Sequence, residues 1–136
     1  MVFLSLIGLI AALIALAYFR APGWTWAVAG AVWLAALNEA TDWLLQTYPY
    51  NAAAAGAGAV PYLKLWGIVA GCWQMARAAH LAKARLEGGA EDFDFYRSKI
   101  DTAHFYAEHI VPQGQAHKAA VVNGSASVLA LEEGQF

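Results

Sequence analysis

His104, Glu108 and His109 are the residues whose types most invite chemistry, because imidazole and carboxylate one helical turn apart can share a metal ion. Their order, His-Phe-Tyr-Ala-Glu-His, is one residue longer than the inverted zinc signature. The offset of five between His104 and His109 also turns the two rings onto different sides of a helix. The expectation is surface or inter-helix hydrogen bonding, and no metal ligand is assigned. His80 and His117 are isolated and default to structural roles. Cys72 has no second cysteine to pair with, and together with Met75 it reads as core filling rather than a redox centre. There is no Gly-rich phosphate loop, no strand to precede one, and no Ser, His and Asp arrangement. No catalytic or cofactor-binding residue is assigned either, so the polar part of the chain reads as an interaction or structural module.

The elements that carry these residues are helical, since alanine is abundant and β-branched residues are few. Asn38 is expected to cap a short helix with Glu39 and Asp42 in its first turn and Trp43, Leu44 and Thr47 on its packed side, ending before Pro49. PYNAAAAGAGAV reads as a flexible connection. Pro61 is expected to open a long helix that Gly88-Gly89 closes. Within it Leu65, Ile68, Cys72, Met75, Ala79, Ala82 and Leu86 form one stripe, and Tyr62, Trp66, Val69, Trp73, Ala76 and His80 an adjoining one. Two stripes predict a helix covered on more than one side, with Trp66 and Trp73 buried in the bundle or in a partner interface. Glu91 or Asp92 opens a third helix, lined by Phe93, Tyr96, Ile100, Ala103, Ala107 and Ile110. Its opposite face carries the i,i+4 pairs Arg97 with Asp101 and His104 with Glu108. A fourth helix after Pro112 runs through Ala116, Ala119, Ala120, Val122 and Ser127 toward Leu131, with Asn123-Gly124 as a kink or stop. Four helices with short connections predict an up-and-down bundle.

Composition divides the chain. Residues 1–37 hold 30 apolar residues and one ion, Arg20, while residues 38–136 hold the other 17 charges, and the net charge of the whole is −2. No run of Lys or Arg occurs, which argues against nucleic acid as a partner. Met1 to Phe19 is free of charge and as a helix would span about 28 Å, enough to cross a bilayer. Trp24 to Leu37 is a second, shorter apolar run that would complete a hairpin or lie in the interface. Ala15-Leu16-Ala17 has the small-x-small form of a signal-peptidase site, but no Lys or Arg precedes the run and 19 residues exceed the usual h-region. The expectation is an all-α protein, a transmembrane helix or hairpin over 1–37 followed by a small helical domain over 38–136.

The segment DFYRSKIDTAHFYAEHIVPQ, followed by an Ala-rich helix and SVLALEEGQF, resembles the C-terminal end of bacterial acyl-CoA dehydrogenases that carry an extra helical domain. ATDWLL and VPYLKLWGIVAGCWQMARAA are similar to the earlier part of that domain, so the resemblance covers about residues 39–136, with FYAEHIVPQ its sharpest piece. Met1 to Leu37 looks like the membrane leader of enteric long-chain acyl-CoA dehydrogenases, which implies a bacterial inner-membrane location. The resemblance implies FAD and acyl-CoA thioesters as the family's cofactor and substrates, with a Glu as the base that starts α,β-dehydrogenation in fatty-acid β-oxidation. The segment bearing that base is not matched by Glu39, Glu87, Glu91, Glu108, Glu132 or Glu133. No cofactor is therefore expected on this chain.

Two functions of different class follow. One is a membrane-tethered accessory or interaction domain, or truncated remnant, bound to lipid through residues 1–37 and docked on an acyl-CoA dehydrogenase catalytic partner or on a second copy. The other is a small helical membrane protein with a structural role unrelated to fatty-acid oxidation.

Overall fold

The computed structural model describes residues 24–131 and 133–135. Residues 24–47 contain no proline and a single glycine, so nothing interrupts helix formation, and α1 runs unbroken over Trp24–Thr47. The expected helix start at Asn38 is thereby corrected. A change in composition near Leu37 is not a change in backbone conformation, and Asn38 is an exposed residue in the middle of α1. Glu39 consequently serves no first-turn role; its carboxylate meets Lys118 of another helix at 2.6 Å. No helix among the described residues is long and apolar enough to cross a membrane, and α1 includes the second expected span. The first, Met1 to Phe19, lies outside the described residues.

The expected flexible connection is also corrected. Asn51 Oδ1 accepts the Ala54 N–H at 3.0 Å and caps a short helix, α2, over Ala52–Ala57, in which Ala54 and Ala55 are buried. Alanine's helix propensity and one side-chain cap outweigh the glycines here. The long helix α3 covers Ala59–Glu87 and closes where the N–H groups of Gly88 and Gly89 reach the carbonyls of Ala84 and Leu86. Pro61 sits in its first turn, two residues later than expected, where a missing N–H costs little.

After Asp92, α4 runs over Phe93–Phe105 and passes without reversal into a π turn, Tyr106–Ile110, a 3₁₀ turn, Val111–Gln113, and α5, Gly114–Asn123. The third and fourth expected helices are thus one bent rod. Pro112 is the cause: it cannot donate to the Glu108 carbonyl, and its ring would strike that carbonyl in α geometry. The chain widens instead, and the Val111 N–H bonds the Tyr106 carbonyl five residues back. Asn123-Gly124 ends α5, and α6 follows as a single turn over Ser125–Val128, short of Leu131.

Contacts along α3 set the directions. Gly58, just before α3, lies against Leu44 and Val121; the Tyr62 hydroxyl lies 2.9 Å from that of Thr41; and further along, the Tyr106 hydroxyl donates to the Ile68 carbonyl at 3.3 Å. As α3 advances its partners in α1 and in the bent rod recede, so both run antiparallel to it. The protein is all-α, a bundle of three rods among the described residues. Its centre is Ala40, Leu65 and Val121, one residue from each rod, with Leu37, Trp43, Leu44, Tyr62 and Val69 packed around them. Gly114 lets the rods approach: a Cβ there would stand 2.8 Å from the Trp33 ring and 3.3 Å from Leu65 Cδ1.

Candidate interaction faces

The first stripe expected on α3 is its buried side, where Leu65, Ile68 and Ala82 are buried and Cys72, Met75, Ala79 and Leu86 partly so. The second stripe divides. Tyr62 and Val69 pack at the centre, whereas Trp66 and Trp73 remain 52% and 46% exposed. Within the described residues the bundle itself does not bury them, because α1 and the bent rod flank α3 on two sides and leave the third open; the expected alternative, a partner interface, is the one this exposure leaves. On that side Leu63, Trp66, Ala70, Trp73 and Leu81 recur at helical spacing, with Arg77 as the ion among them.

A second exposed aromatic set lies on the outside of α4. Phe95 and Phe105 are 54% and 57% exposed; the Lys99 ammonium stands 5.0 Å from the Phe95 ring centre, and the Phe105 and His109 rings are 4.6 Å apart. The expected Arg97–Asp101 pair is present at 3.6 Å. Phe93, expected on the packed face with Tyr96, is instead exposed, at the first residue of α4. His104, Glu108 and His109 are all exposed, and among the described residues no three His, Cys, Asp or Glu side chains converge as metal ligands.

Between these faces lies a contact that sequence reasoning missed. The Tyr106 ring crosses from the π turn onto Gly71, so that a Cβ at position 71 would stand 2.7 Å from Cζ and would overlap the hydroxyl. Burial raises the Cys72 thiol above its ordinary range; burial, and then the nearby Cys72 charge, raise the Tyr106 phenol. Both groups hold their protons more firmly in the folded chain than in the unfolded one. Their contribution to stability is complete below the unfolded thiol value of 9.0 and is lost as pH rises through the folded values. Thermal stability should accordingly fall above about pH 9, and less steeply in Cys72→Ala. Equal falls in both proteins, measured by circular dichroism melts, would remove Cys72 from this account.

No polar or charged side chain is buried among the described residues. The described residues present two exposed aromatic faces, one on α3 and one on α4.

Residues 6–132 match the family described as acetyl-CoA dehydrogenase C-terminal like. The chain is 34% identical over 95 residues to 3-methylmercaptopropionyl-CoA dehydrogenase of Ruegeria pomeroyi, an alignment covering 70% of this chain and 16% of that protein.

Proposed function

Because the chain belongs to the acetyl-CoA dehydrogenase C-terminal-like family, we propose that it is a non-catalytic helical docking domain for the flavin-containing body of an acyl-CoA dehydrogenase. The observation that carries this reading is the outer face of α4, where Phe95 and Phe105 stand exposed. Exposed aromatics of this kind mark contact surfaces and supply most of the energy of those they join. The chain spans about a sixth of the dehydrogenase it matches, which leaves the chemistry to the remainder of such a protein. The chain's own residues contribute association: aromatic area on α4, with Lys99 and the Arg97–Asp101 pair at its rim.

Tagged full-length chain, purified from its own cells and analysed for flavin absorbance and for partner identity, tests the reading. An acyl-CoA-reducible flavoprotein should co-purify and should be lost from Phe95→Asp/Phe105→Asp, whose fold is checked by circular dichroism. The chain freed of that partner should be colourless. Absence of a flavoprotein from the eluate, or its retention by the double variant, overturns the proposal.

A further inference from the structure

On the open side of α3, Leu63, Trp66, Ala70, Trp73 and Arg77 follow one another at alternating steps of three and four residues, the spacing of a two-helix seam. Bulk alternates along it, indole with methyl. Gly67 widens the gap between the two indoles. It lies inside a helix, where glycine costs stability against alanine, yet a Cβ there would meet nothing within 4 Å. The packing among the described residues does not require that glycine; it leaves an exposed notch beside Ala70. An antiparallel copy of the same helix fills such a notch. With a two-fold axis between Ala70 and Trp73, each Trp73 lies against Gly67 and Ala70 of the other copy, and each Trp66 lies opposite Arg77, a guanidinium on an indole. The two Arg77 side chains then stand about 16 Å apart along the pair, beyond the Debye length of about 8 Å. A parallel pair would set Arg77 on Arg77 and indole on indole. None of the ion pairs among the described residues uses Arg77.

We propose that a second copy of this chain occupies this face, paired antiparallel through α3, with Trp73 of each copy seated on Gly67 and Ala70 of the other. The area agrees with a reversible dimer. From Leu63 to Leu81 the open side extends about 27 Å at the helical rise. The adjoining stripe of α1, with Asn38 and Leu45 exposed and Thr41 held to Tyr62 of α3, brings its width to two helices, roughly 20 Å. Two such faces bury on the order of 1,000 Å² together, the lower end for a specific interface. The proposal goes beyond the reading above and leaves the α4 face free for the dehydrogenase, so that one dimer presents two docking faces.

Sedimentation equilibrium and disulfide trapping on the full chain test it, with circular dichroism reporting retained helix in each variant. The natural chain should dimerise with a dissociation constant on the order of micromolar, and Trp73→Ser should weaken the dimer at least about tenfold. Gly67→Ala separates a dimer role from a structural one. It should raise the melting temperature of the monomer in dilute solution, yet weaken the dimer at least about fivefold. In a Cys72→Ser background, Ala70→Cys is offset from its copy by about 5 Å along the pair and Leu81→Cys by about 28 Å. Disulfide-linked dimer should therefore form at least about tenfold faster at position 70 than at 81. A chain that stays monomeric to about 100 µM, a dimer unchanged by Trp73→Ser or by Gly67→Ala, or equal trapping at the two positions overturns the proposal. Binding of a monomeric chain to phosphatidylethanolamine–phosphatidylglycerol vesicles that is lost in Trp66→Ser/Trp73→Ser assigns the face to lipid and has the same consequence. Phe95→Asp/Phe105→Asp should leave the dimer intact, so this proposal and the dehydrogenase reading fail separately.

Discussion

Replacing Leu65 by Ala is expected to lower the stability of the domain by about 2–5 kcal/mol, and its melting temperature by roughly 10 °C. Leu65 is fully enclosed, and it meets Ala40 of α1 and Val121 of α5, the two other residues at the centre of the bundle. The truncation removes apolar burial from all three rods at once. It also leaves a cavity that Gly114 and Trp33, already in close approach, have little freedom to fill. Val128→Ala, at a position 63% exposed, should change stability by less than about 0.5 kcal/mol. Urea unfolding of the two variants decides the matter. Similar losses would place the centre of the domain elsewhere.

The second large effect is expected at Gly71, and its sign should depend on Tyr106. In the natural chain a methyl at position 71 enters the space of the tyrosine ring and hydroxyl, and displacing that ring should cost about 1–3 kcal/mol. In a Tyr106→Ala background the obstacle is gone. Gly71→Ala should then stabilise by up to about 1 kcal/mol, the ordinary helix-propensity gain over glycine. A double-mutant cycle in urea measures the coupling. Additive effects would show that ring and glycine do not meet.

The same two positions illustrate what the amino-acid order reveals. The stripe from Leu65 to Leu86 was legible because a single helix's buried face repeats every three to four residues, whatever its neighbours are. Tyr106 against Gly71 was not legible, since it joins positions 35 apart and depends on a π turn that displaces the ring. The second stripe on α3 implies that Trp66 and Trp73 are covered by the bundle or by a partner, but which of the two is set by how many rods surround α3, and a single helix's periodicity does not carry that number. For α2 a signal existed in Asn51 before four alanines, and the glycines that follow obscured it. Of the faces proposed for association, the sequence displayed the residues but not their side: Phe95 was in none of the expected stripes, and Phe93 was placed on the wrong one.

Pro112 has a consequence for rotation about the rod axis. From Ala103 to Val121 is 18 residues, five whole turns of 3.6, so both would fall on one side of an uninterrupted α-helix. The π turn underwinds the chain over Tyr106–Ile110, and the 3₁₀ turn at once overwinds it over Val111–Gln113. These errors are opposite in sense. They largely cancel, and Ala103 and Val121 are both buried. Segment 106–113 therefore carries the rod past Pro112 with its phase kept, and its residue count is fixed by that requirement independently of its side chains. Losing one residue from it would turn α5 by about 100° relative to α4 and carry Val121 from the centre of the bundle to its surface.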